Sequence, residues 1–453
     1  RTTLNDIIGS DMTKKQLEQV VYELQNFPKT KGYVIYNQDG EGGGNRKCAK
    51  AIAGEIGIPM VTINASDFAI RDIDTIRMDP IAAIEQKMGK LASLMKTQAA
   101  ANPNKSVLLF ISNFDAFASD PIYGLSSIYQ QQAFSKLIKE MKKASQDENY
   151  NLVVVGSSEF PQTVREDIRR PGLFMDDIII YSTRVPKNVR DIVQNYNEKS
   201  GYKLQDEEKF LKHFSNMIVG ASYVDIVNLL DKANILAHKD NRDEIKIEDV
   251  NKALLEILYG QTSSIEMNER AKDQVIRHEG GHALNNQFMN RLFKAQGDTL
   301  RVSDTFSNIT LDPRGDFLGC VMTQHDEDNS SVSNLETIFS DVVCCFGGNS
   351  SEEEFFNMQG SWGITQDMQI ANSLARTAVT YMGLGKNVGH FIPDIDPYSG
   401  APMLTEHDKK IYYHDVKVIL NNAKVLSDKI VKVYCGFLKE FSDKNMANFG
   451  TGN

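Results

Sequence analysis

The sequence has no long hydrophobic run: none of its apolar stretches approaches the ~20 residues that a membrane-spanning helix requires. No secretory signal peptide is visible either. The chain begins with Arg1 rather than with a methionine. We therefore expect it to be the ordered or processed part of a longer protein, in which a membrane anchor or a transit peptide would precede the sequence given.

A basic excess and paired cysteines are also missing. Lys and Arg total 50 against 60 Asp and Glu, and the resulting formal charge of −10 argues against a nucleic-acid-binding protein. The five cysteines include no Cys-x-x-Cys pair, so we interpret them as thiols in a reducing compartment rather than as a disulfide framework. A length of 453 residues, 41% apolar and 24% charged, predicts a soluble globular chain of about three domains.

A glycine-rich loop near the N-terminus lies between a predicted strand and a predicted helix. The loop covers residues 39–44, and the helix is predicted for residues 46–56. This order is typical of a phosphate-binding loop. The binding chemistry is missing, because Gly44 is followed by Asn45 and Arg46 where such a loop needs Lys and then Ser or Thr.

The rest of the first half alternates between strands and helices, which predicts a mostly parallel α/β sheet. One buried strand, at residues 107–111, ends in Ser112 and Asn113, whereas a magnesium-dependent ATPase would carry Asp-Glu there. Residues 188–257 are predicted to be helical throughout and to form a small helical domain. Residues 260–264 are predicted to be a linker.

The motif His-Glu-x-x-His occurs at His278, Glu279 and His282. On a helix, positions i and i+4 share one face, so both imidazoles can reach one Zn²⁺. Glu279 would then serve as general base for a water whose pKa the zinc lowers. Such a short motif also arises by chance, and Gly280 and Gly281 each cost about 1 kcal/mol relative to alanine in a helix.

The remaining C-terminal elements are predicted to be a β-ribbon followed by long helices. The ribbon is expected to pair residues 308–311 with residues 317–322. The helices are predicted at residues 335–346, 366–382 and 405–442.

This order of features resembles the FtsH family of membrane-anchored AAA proteases, and the resemblance covers nearly the whole chain. It is carried by the following segments: Ala49 to Glu55, Arg170-Pro171-Gly172, Pro313-Arg314-Gly315, Leu318-Gly319, and Gly347-Gly348 followed by Glu352-Glu353. The resemblance implies an AAA-like α/β module at residues 1–186, a helical lid at 187–259, and a mostly helical zinc peptidase domain at 260–453.

The resemblance also implies a third zinc ligand. The segment Gly363-Ile364-Thr365-Gln366-Asp367 is similar to the one that supplies this ligand in the family, so the role falls to Asp367. A catalytic zinc commonly has three protein ligands and one open position. The alternative for Asp367 is a helix N-cap, and the alternative for Glu352 and Glu353 is a pair of solvated helix charges.

The departures from the family are confined to the ATPase half. Asn45 and Arg46 replace the phosphate-loop residues, and Ser112 and Asn113 replace the acidic pair. Further departures are Glu159 at the nucleotide-sensor position, Leu173 and Asp176 at or near the arginine-finger positions, and Asp72-Ile73-Asp74 on the aromatic pore loop. The loss of every group that binds, hydrolyses or senses ATP indicates a pseudo-ATPase.

Two functions follow from the resemblance. One is an FtsH-like zinc metalloendopeptidase, for which Zn²⁺ but not ATP is the expected cofactor. It would cleave unfolded or membrane-protein segments, either alone or in a homo- or hetero-hexameric ring with ATP-competent subunits. The other is a catalytically silent subunit of a large organellar membrane complex that keeps zinc for stability. The presence of Glu279 favours catalysis, because a purely structural zinc site does not need it.

A working ATPase with an unusual loop is a third reading. The expected location is a mitochondrion or a plastid, at a membrane and through a segment outside this chain.

Overall fold

The structure, a computed structural model, describes residues 2–37, 44–69, 79–120, 124–169, 173–180, 185–263, 266–315, 317–326, 332–396 and 401–450. It consists of two compact units. The first contains residues 1–215 and 219–245, and the second contains residues 216–218 and 246–453. The three-domain division at residues 186 and 259 stays a prediction.

Fifteen α-helices are present in the described residues. They are α1 Asp11–Asn26, α2 Asn45–Ile56, α3 Pro80–Ala100, α4 Asp115–Ala118, α5 Ile128–Ala144, α6 Pro186–Ser200, α7 Glu207–Met217, α8 Tyr223–Lys239, α9 Ile247–Tyr259, α10 Glu269–Ala295, α11 Leu335–Cys345, α12 Gly347–Phe356, α13 Ile364–Arg376, α14 Glu406–Val433 and α15 Cys435–Asn445. Within these same ranges, no helix is both long and apolar enough to cross a lipid bilayer.

The described strands are β1 Lys31–Asn37, β2 Met60–Asn64, β3 Ser106–Ser112, β4 Asn151–Ser157, β5 Asp176–Ile180, β6 Lys203–Leu204, β7 Glu244–Ile245, β8 Thr305–Thr310 and β9 Cys320–Gln324. The first five form one parallel sheet in the order β2-β3-β4-β1-β5. Both faces of this sheet are covered, which is why its central strands are continuous apolar runs. The predicted α/β sheet is confirmed.

Each face of the parallel sheet carries its own hydrophobic core. One core is built around Phe114, Phe134 and Phe174. The other packs Leu17 and Ile52 against the opposite face. Burial of large apolar side chains on both sides stabilises the module, and this stabilisation requires no nucleotide.

The segment predicted to be helical from residue 188 to residue 257 is only partly so. Four helices, α6 to α9, account for most of it, but β6 and β7 form a short parallel pair between them. The pairing joins residues some 40 positions apart, as in Lys203 opposite Glu244. The prediction missed it because two-residue strands leave no periodic apolar pattern.

The second unit is mostly helical, as predicted, and carries one antiparallel ribbon. The ribbon pairs β8 with β9, and its register shifts between Phe306 and Asn308. Both strands also begin and end a few residues away from their predicted limits. The C-terminal helix predicted for residues 405–442 is also divided in two at Tyr434.

Candidate metal centre

Helix α10 places the two histidines of the motif side by side. The helix begins after Asn268, whose side chain accepts a hydrogen bond from the backbone N–H of Ala271, a favourable N-cap. One helical turn separates His278 from His282, and their Nε2 atoms lie 3.1 Å apart. Both residues are largely buried, so this pair of nitrogens converges in a protected position.

Asp367 completes a cluster with the two histidines. It projects from the first turn of α13, and its Oδ2 lies 3.3 Å from Nε2 of His278 and 3.3 Å from Nε2 of His282. The N-cap of this helix is Gly363, not Asp367. The alternative interpretation of Asp367 as a helix cap is therefore wrong, and so is the predicted start of its helix at residue 366.

Outer hydrogen bonds orient both imidazoles. His278 donates from Nδ1 to Oε1 of Glu352 at 2.7 Å, and His282 donates from Nδ1 to the backbone carbonyl of Cys344 at 2.7 Å. A carbonyl oxygen can only accept, so the proton of a neutral His282 resides on Nδ1. The lone pairs on both Nε2 atoms then point toward Asp367, the arrangement that metal-ligating histidines commonly show.

The electrostatics of the cluster favour a positive charge at its centre. Burial disfavours the charged imidazole, but hydrogen bonds to Asp367 and Glu352 raise the pKa of His278 to about 10. Burial also disfavours the charged form of His282, but the hydrogen bond to Asp367 and its negative charge outweigh burial and raise the pKa of His282. Burial alone would raise the pKa of Asp367, but the two imidazoles hold the pKa of this carboxyl group well below its usual range.

The donor set fits a zinc ion. Three ligand atoms around a tetrahedral ion, with bonds of roughly 2.0–2.2 Å, lie about 3.3 Å from one another. The atoms of His278, His282 and Asp367 are 3.1–3.3 Å apart. Once zinc displaces the protons from Nε2, two imidazole nitrogens and one carboxylate oxygen match the ligand types that zinc prefers. These three residues are therefore able to hold the ion.

Glu279 is not one of the three converging ligands, although it follows His278 directly. Its side chain is buried against Gly319, the residue before β9: a Cβ at Gly319 would lie 2.8 Å from Cγ of Glu279. Burial raises the pKa of Glu279, whereas the positive charge on His282 and His278 acts against this increase. Glu279 is thus a buried carboxyl group that follows the candidate ligand His278 directly and is not itself part of the ligand cluster.

Glycines allow α12 to approach α10 closely behind the ligands. A Cβ at Gly281 would lie 2.2 Å from the carbonyl oxygen of Gly347, and one at Gly347 would lie 2.3 Å from that of Gly281. A Cβ at Gly348 would meet the imidazole ring of His278 at 2.4 Å. The glycine pair in the motif, counted in the sequence as a cost to the helix, is therefore a packing requirement at Gly281.

We predict that Gly347→Ala destabilises the second unit. The added methyl group has no room against the backbone of Gly281, and such overpacking typically costs about 1–3 kcal/mol. The matched control is Gly436→Ala in α15, where no atom lies within 4 Å of the new Cβ. Urea unfolding should show a lower midpoint for Gly347→Ala and an equal or higher one for Gly436→Ala. Equal midpoints for Gly347→Ala and the wild type would contradict the close contact.

The two acidic residues after the glycine pair have different roles. Glu352 is only 1% exposed, and its Oε1 accepts hydrogen bonds from both His278 and Ser361. Glu353 instead pairs with Lys424 at 2.7 Å. The solvated-charge alternative is therefore wrong for Glu352. The sequence feature that indicated a role for Glu352 was the Gly-Gly-x-x-x-Glu-Glu pattern, because the acidic run alone does not distinguish its members.

The residues of the predicted degenerate nucleotide site that the structure describes bond to neighbouring protein groups. Asn45 donates from Nδ2 to the hydroxyl of Ser157 at 2.7 Å, and Ser112 donates to the backbone carbonyl of Ile63 at 3.2 Å. Asn113 adopts a positive φ of 52° and donates its amide to nearby side chains. Gly44 precedes α2 in a left-handed conformation, and Arg46 is exposed.

The other departures from the family lie partly outside the described residues. Leu173 packs against the core of the first unit, and its carbonyl accepts a hydrogen bond from Gly32. Asp176 forms an ion pair with Lys31, and the backbone N–H of Glu159 donates to a buried Asp115. The segments Arg170-Pro171-Gly172 and Asp72-Ile73-Asp74, and residues 39–43 of the glycine loop, are not described by the structure.

Two protein families match different parts of the chain. Peptidase family M41 matches residues 265–434, and the ATPase family associated with various cellular activities (AAA) matches residues 41–182. The first match contains the cluster of His278, His282 and Asp367, and the second contains strands β2 to β5 of the parallel sheet but not β1.

Curated relatives match over both units. The chain is 26% identical to the ATP-dependent zinc metalloprotease FtsH of Borreliella burgdorferi, covering 95% of this chain and 65% of that protein. It is 26% identical to that of Caulobacter vibrioides, covering 86% and 59%, and 24% identical to that of Syntrophus aciditrophicus, covering 89% and 52%. The chain thus spans between half and two thirds of these relatives. The M41 match, the AAA match and these relatives together support an FtsH-like AAA metalloprotease.

Proposed function

We propose that this chain is a zinc metalloendopeptidase whose AAA module neither binds nor hydrolyses ATP. The observation that carries the peptidase proposal is the convergence of His278, His282 and Asp367 with Glu279 beside them. The names of the curated relatives, which describe zinc metalloproteases, agree with it. A site that only stabilised the fold would gain nothing from a buried carboxylate next to its ligands.

The residues of the site have separate tasks in peptide hydrolysis. A zinc ion on the three ligands would supply Lewis-acid activation of water and of the scissile carbonyl. The carboxylate of Glu279 accepts the proton of the attacking water and passes it to the amide nitrogen of the leaving peptide. Glu352 and the carbonyl of Cys344 keep the imidazoles in the orientation and tautomer that leave Nε2 available.

The proposal for the AAA module rests on the chemistry that its residues lack. Nucleotide hydrolysis of this class requires a lysine on the β- and γ-phosphates and acidic or hydroxyl groups that hold Mg²⁺. Asn45 cannot supply the charge, and its amide is already bonded to Ser157. Ser112 and Asn113 offer no carboxylate. The match to the AAA family reflects a retained fold, which the two hydrophobic cores explain.

We predict no measurable binding of Mg-ATP at micromolar concentration and no ATP hydrolysis above background. Isothermal titration calorimetry on the zinc-loaded chain measures the first, and phosphate release measures the second. An ATP-competent FtsH protein in the same buffer serves as the positive control. A micromolar dissociation constant for Mg-ATP in this chain would contradict the proposed loss of nucleotide binding.

Without ATP-driven unfolding, the substrates we propose are polypeptides that are already unfolded, or unfolded segments of membrane proteins. A ring containing ATP-competent FtsH-like subunits would extend the range to folded substrates, because those subunits would supply translocation. The retained AAA module would then serve for docking between ring neighbours. Size-exclusion chromatography with light scattering, alone and after mixing with an ATP-competent relative, tests for a homo- or hetero-hexamer.

The test of the peptidase proposal is cleavage of a disordered protein such as casein by the zinc-loaded chain without nucleotide. Removal of the metal by a chelator should abolish cleavage, and zinc should restore it. Absence of cleavage by a chain that holds one zinc ion would favour the alternative role of a silent structural subunit.

The organellar, membrane-associated location is also a proposal. The five cysteines are free thiols, which agrees with a reducing compartment. Fractionation of the source cells, with detection of the native protein in membrane and soluble fractions of each organelle, tests it.

A further inference from the structure

Trp362 is the only tryptophan of the chain, and 90% of its surface is exposed. Tryptophan is highly buried on average, because its large ring loses much free energy in water. Tryptophan is enriched at binding interfaces, where a partner covers the ring. Packing within the protein covers very little of this side chain.

The backbone around Trp362 is fixed to the metal centre. On one side, the hydroxyl of Ser361 donates to Oε1 of Glu352 at 2.8 Å, the same oxygen that holds His278. On the other side, a Cβ at Gly363 would lie 3.8 Å from Cε1 of His278. The carbonyl of Trp362 itself accepts a hydrogen bond from Thr365 at the start of α13.

A rigid backbone with a free side chain is suited to recognition. The segment that carries Trp362 is further held by the amide of Asn349, which donates to the carbonyl of Gln359 at 3.1 Å. Because the backbone of this loop is already ordered, ligand binding does not have to offset the entropy lost in ordering it. The loop from residue 357 to residue 363 contains no charged residue, so its surface suits an uncharged, apolar partner.

Because both sequence neighbours of Trp362 contact groups of the candidate metal centre, its backbone lies close to the reacting residues. A peptide whose scissile bond is placed at Glu279 and the three candidate ligands would therefore pass close to this segment. The side chains nearest the cleaved bond are the groups that we expect the exposed indole to contact.

We propose that Trp362 forms a substrate subsite that binds a large apolar or aromatic side chain adjacent to the scissile bond. This inference rests on the proposed peptidase function and names the residue that would set its sequence preference. Tryptophan contacts of this kind often dominate a binding interface, so truncation of the ring has a large effect.

The kinetic test compares two disordered peptides that differ at one central residue, Phe or Ala. Wild type should cleave the Phe peptide with a kcat/KM at least about tenfold higher. Trp362→Ala should lose this preference, and Trp362→Phe should retain most of it, with zinc content unchanged in both. The matched control is Phe27→Ala, an exposed aromatic residue of the first unit, which should keep the wild-type preference. An unaltered preference in Trp362→Ala would overturn the subsite.

A binding test separates this inference from the peptidase proposal. In zinc-loaded Glu279→Gln, the sole tryptophan reports binding without cleavage. The Phe peptide should shift its emission to the blue and saturate, and the Ala peptide should bind at least about tenfold more weakly. Equal, unshifted emission with both peptides would overturn the subsite. A shift that depends on protein concentration alone would assign the ring to a contact between copies of this chain and also overturn it. Saturable binding together with an inert wild type would retain the subsite and refute the peptidase.

Discussion

Glu279→Gln is expected to lower the rate of peptide cleavage by about 10²–10⁴-fold, the usual contribution of a general base, while zinc content stays at the wild-type level. Glutamine has the shape of glutamate, so packing against Gly319 is preserved. Its amide cannot take a proton from water. Because Glu279 is not among the three converging ligand atoms, the metal should be unaffected. Cleavage of a fluorogenic peptide and metal analysis of the same sample provide the two measurements.

The control for this substitution is Glu353→Gln. Glu353 lies in the second unit and is paired with Lys424 at the surface, so the same chemical change should leave the rate unaltered. A Glu353→Gln variant as inactive as Glu279→Gln would mean that loss of any acidic side chain near α12 disables the protein. Equal rates in wild type and Glu279→Gln would refute the role of Glu279 itself.

His282→Ala is expected to remove zinc from the protein. One of three ligands is lost, and the remaining pair, His278 and Asp367, cannot enclose the ion. Loss of an outer hydrogen-bond partner alone typically weakens metal affinity by about 10–100-fold, so loss of a ligand should exceed that range. Zinc that binds only the folded chain stabilises it by mass action, and His282→Ala should therefore also lose the increase in melting temperature that added zinc gives the wild type.

A graded series makes the assignment specific. His390→Ala, an exposed histidine of the same unit, should bind zinc like the wild type. Glu352→Gln should show intermediate affinity, because it weakens the bond that orients His278 without removing a ligand. Zinc content that is unchanged in His282→Ala would show that the ion is held elsewhere or not by this cluster.

The parts of the fold that could be predicted are those that local sequence patterns specify. The central strands are apolar runs because both faces of the sheet are covered. The spacing of His278 and His282 follows from one helical turn. Asp367 was reached only through the resemblance to a family, because no local pattern joins it to residues about 85–90 positions away.

The parts that could not be predicted depend on tertiary contacts. Glu352 and Glu353 are chemically identical neighbours, yet one is buried behind His278 and the other is partly exposed and pairs with Lys424. The carbonyl that orients His282 belongs to Cys344, and a backbone acceptor leaves no trace in the sequence. The need for glycine at position 281 also becomes evident only when α12 lies against it.

The central claim, an active peptidase beside a silent ATPase, is tested most directly by one comparison. Zinc-loaded wild type and Glu279→Gln are incubated with casein and with a stably folded protein, each with and without Mg-ATP. We predict that wild type cleaves casein at the same rate with or without nucleotide, leaves the folded protein intact, and that Glu279→Gln cleaves neither. Equal inertness of both zinc-loaded proteins toward casein, or stimulation of wild type by ATP, would contradict the account.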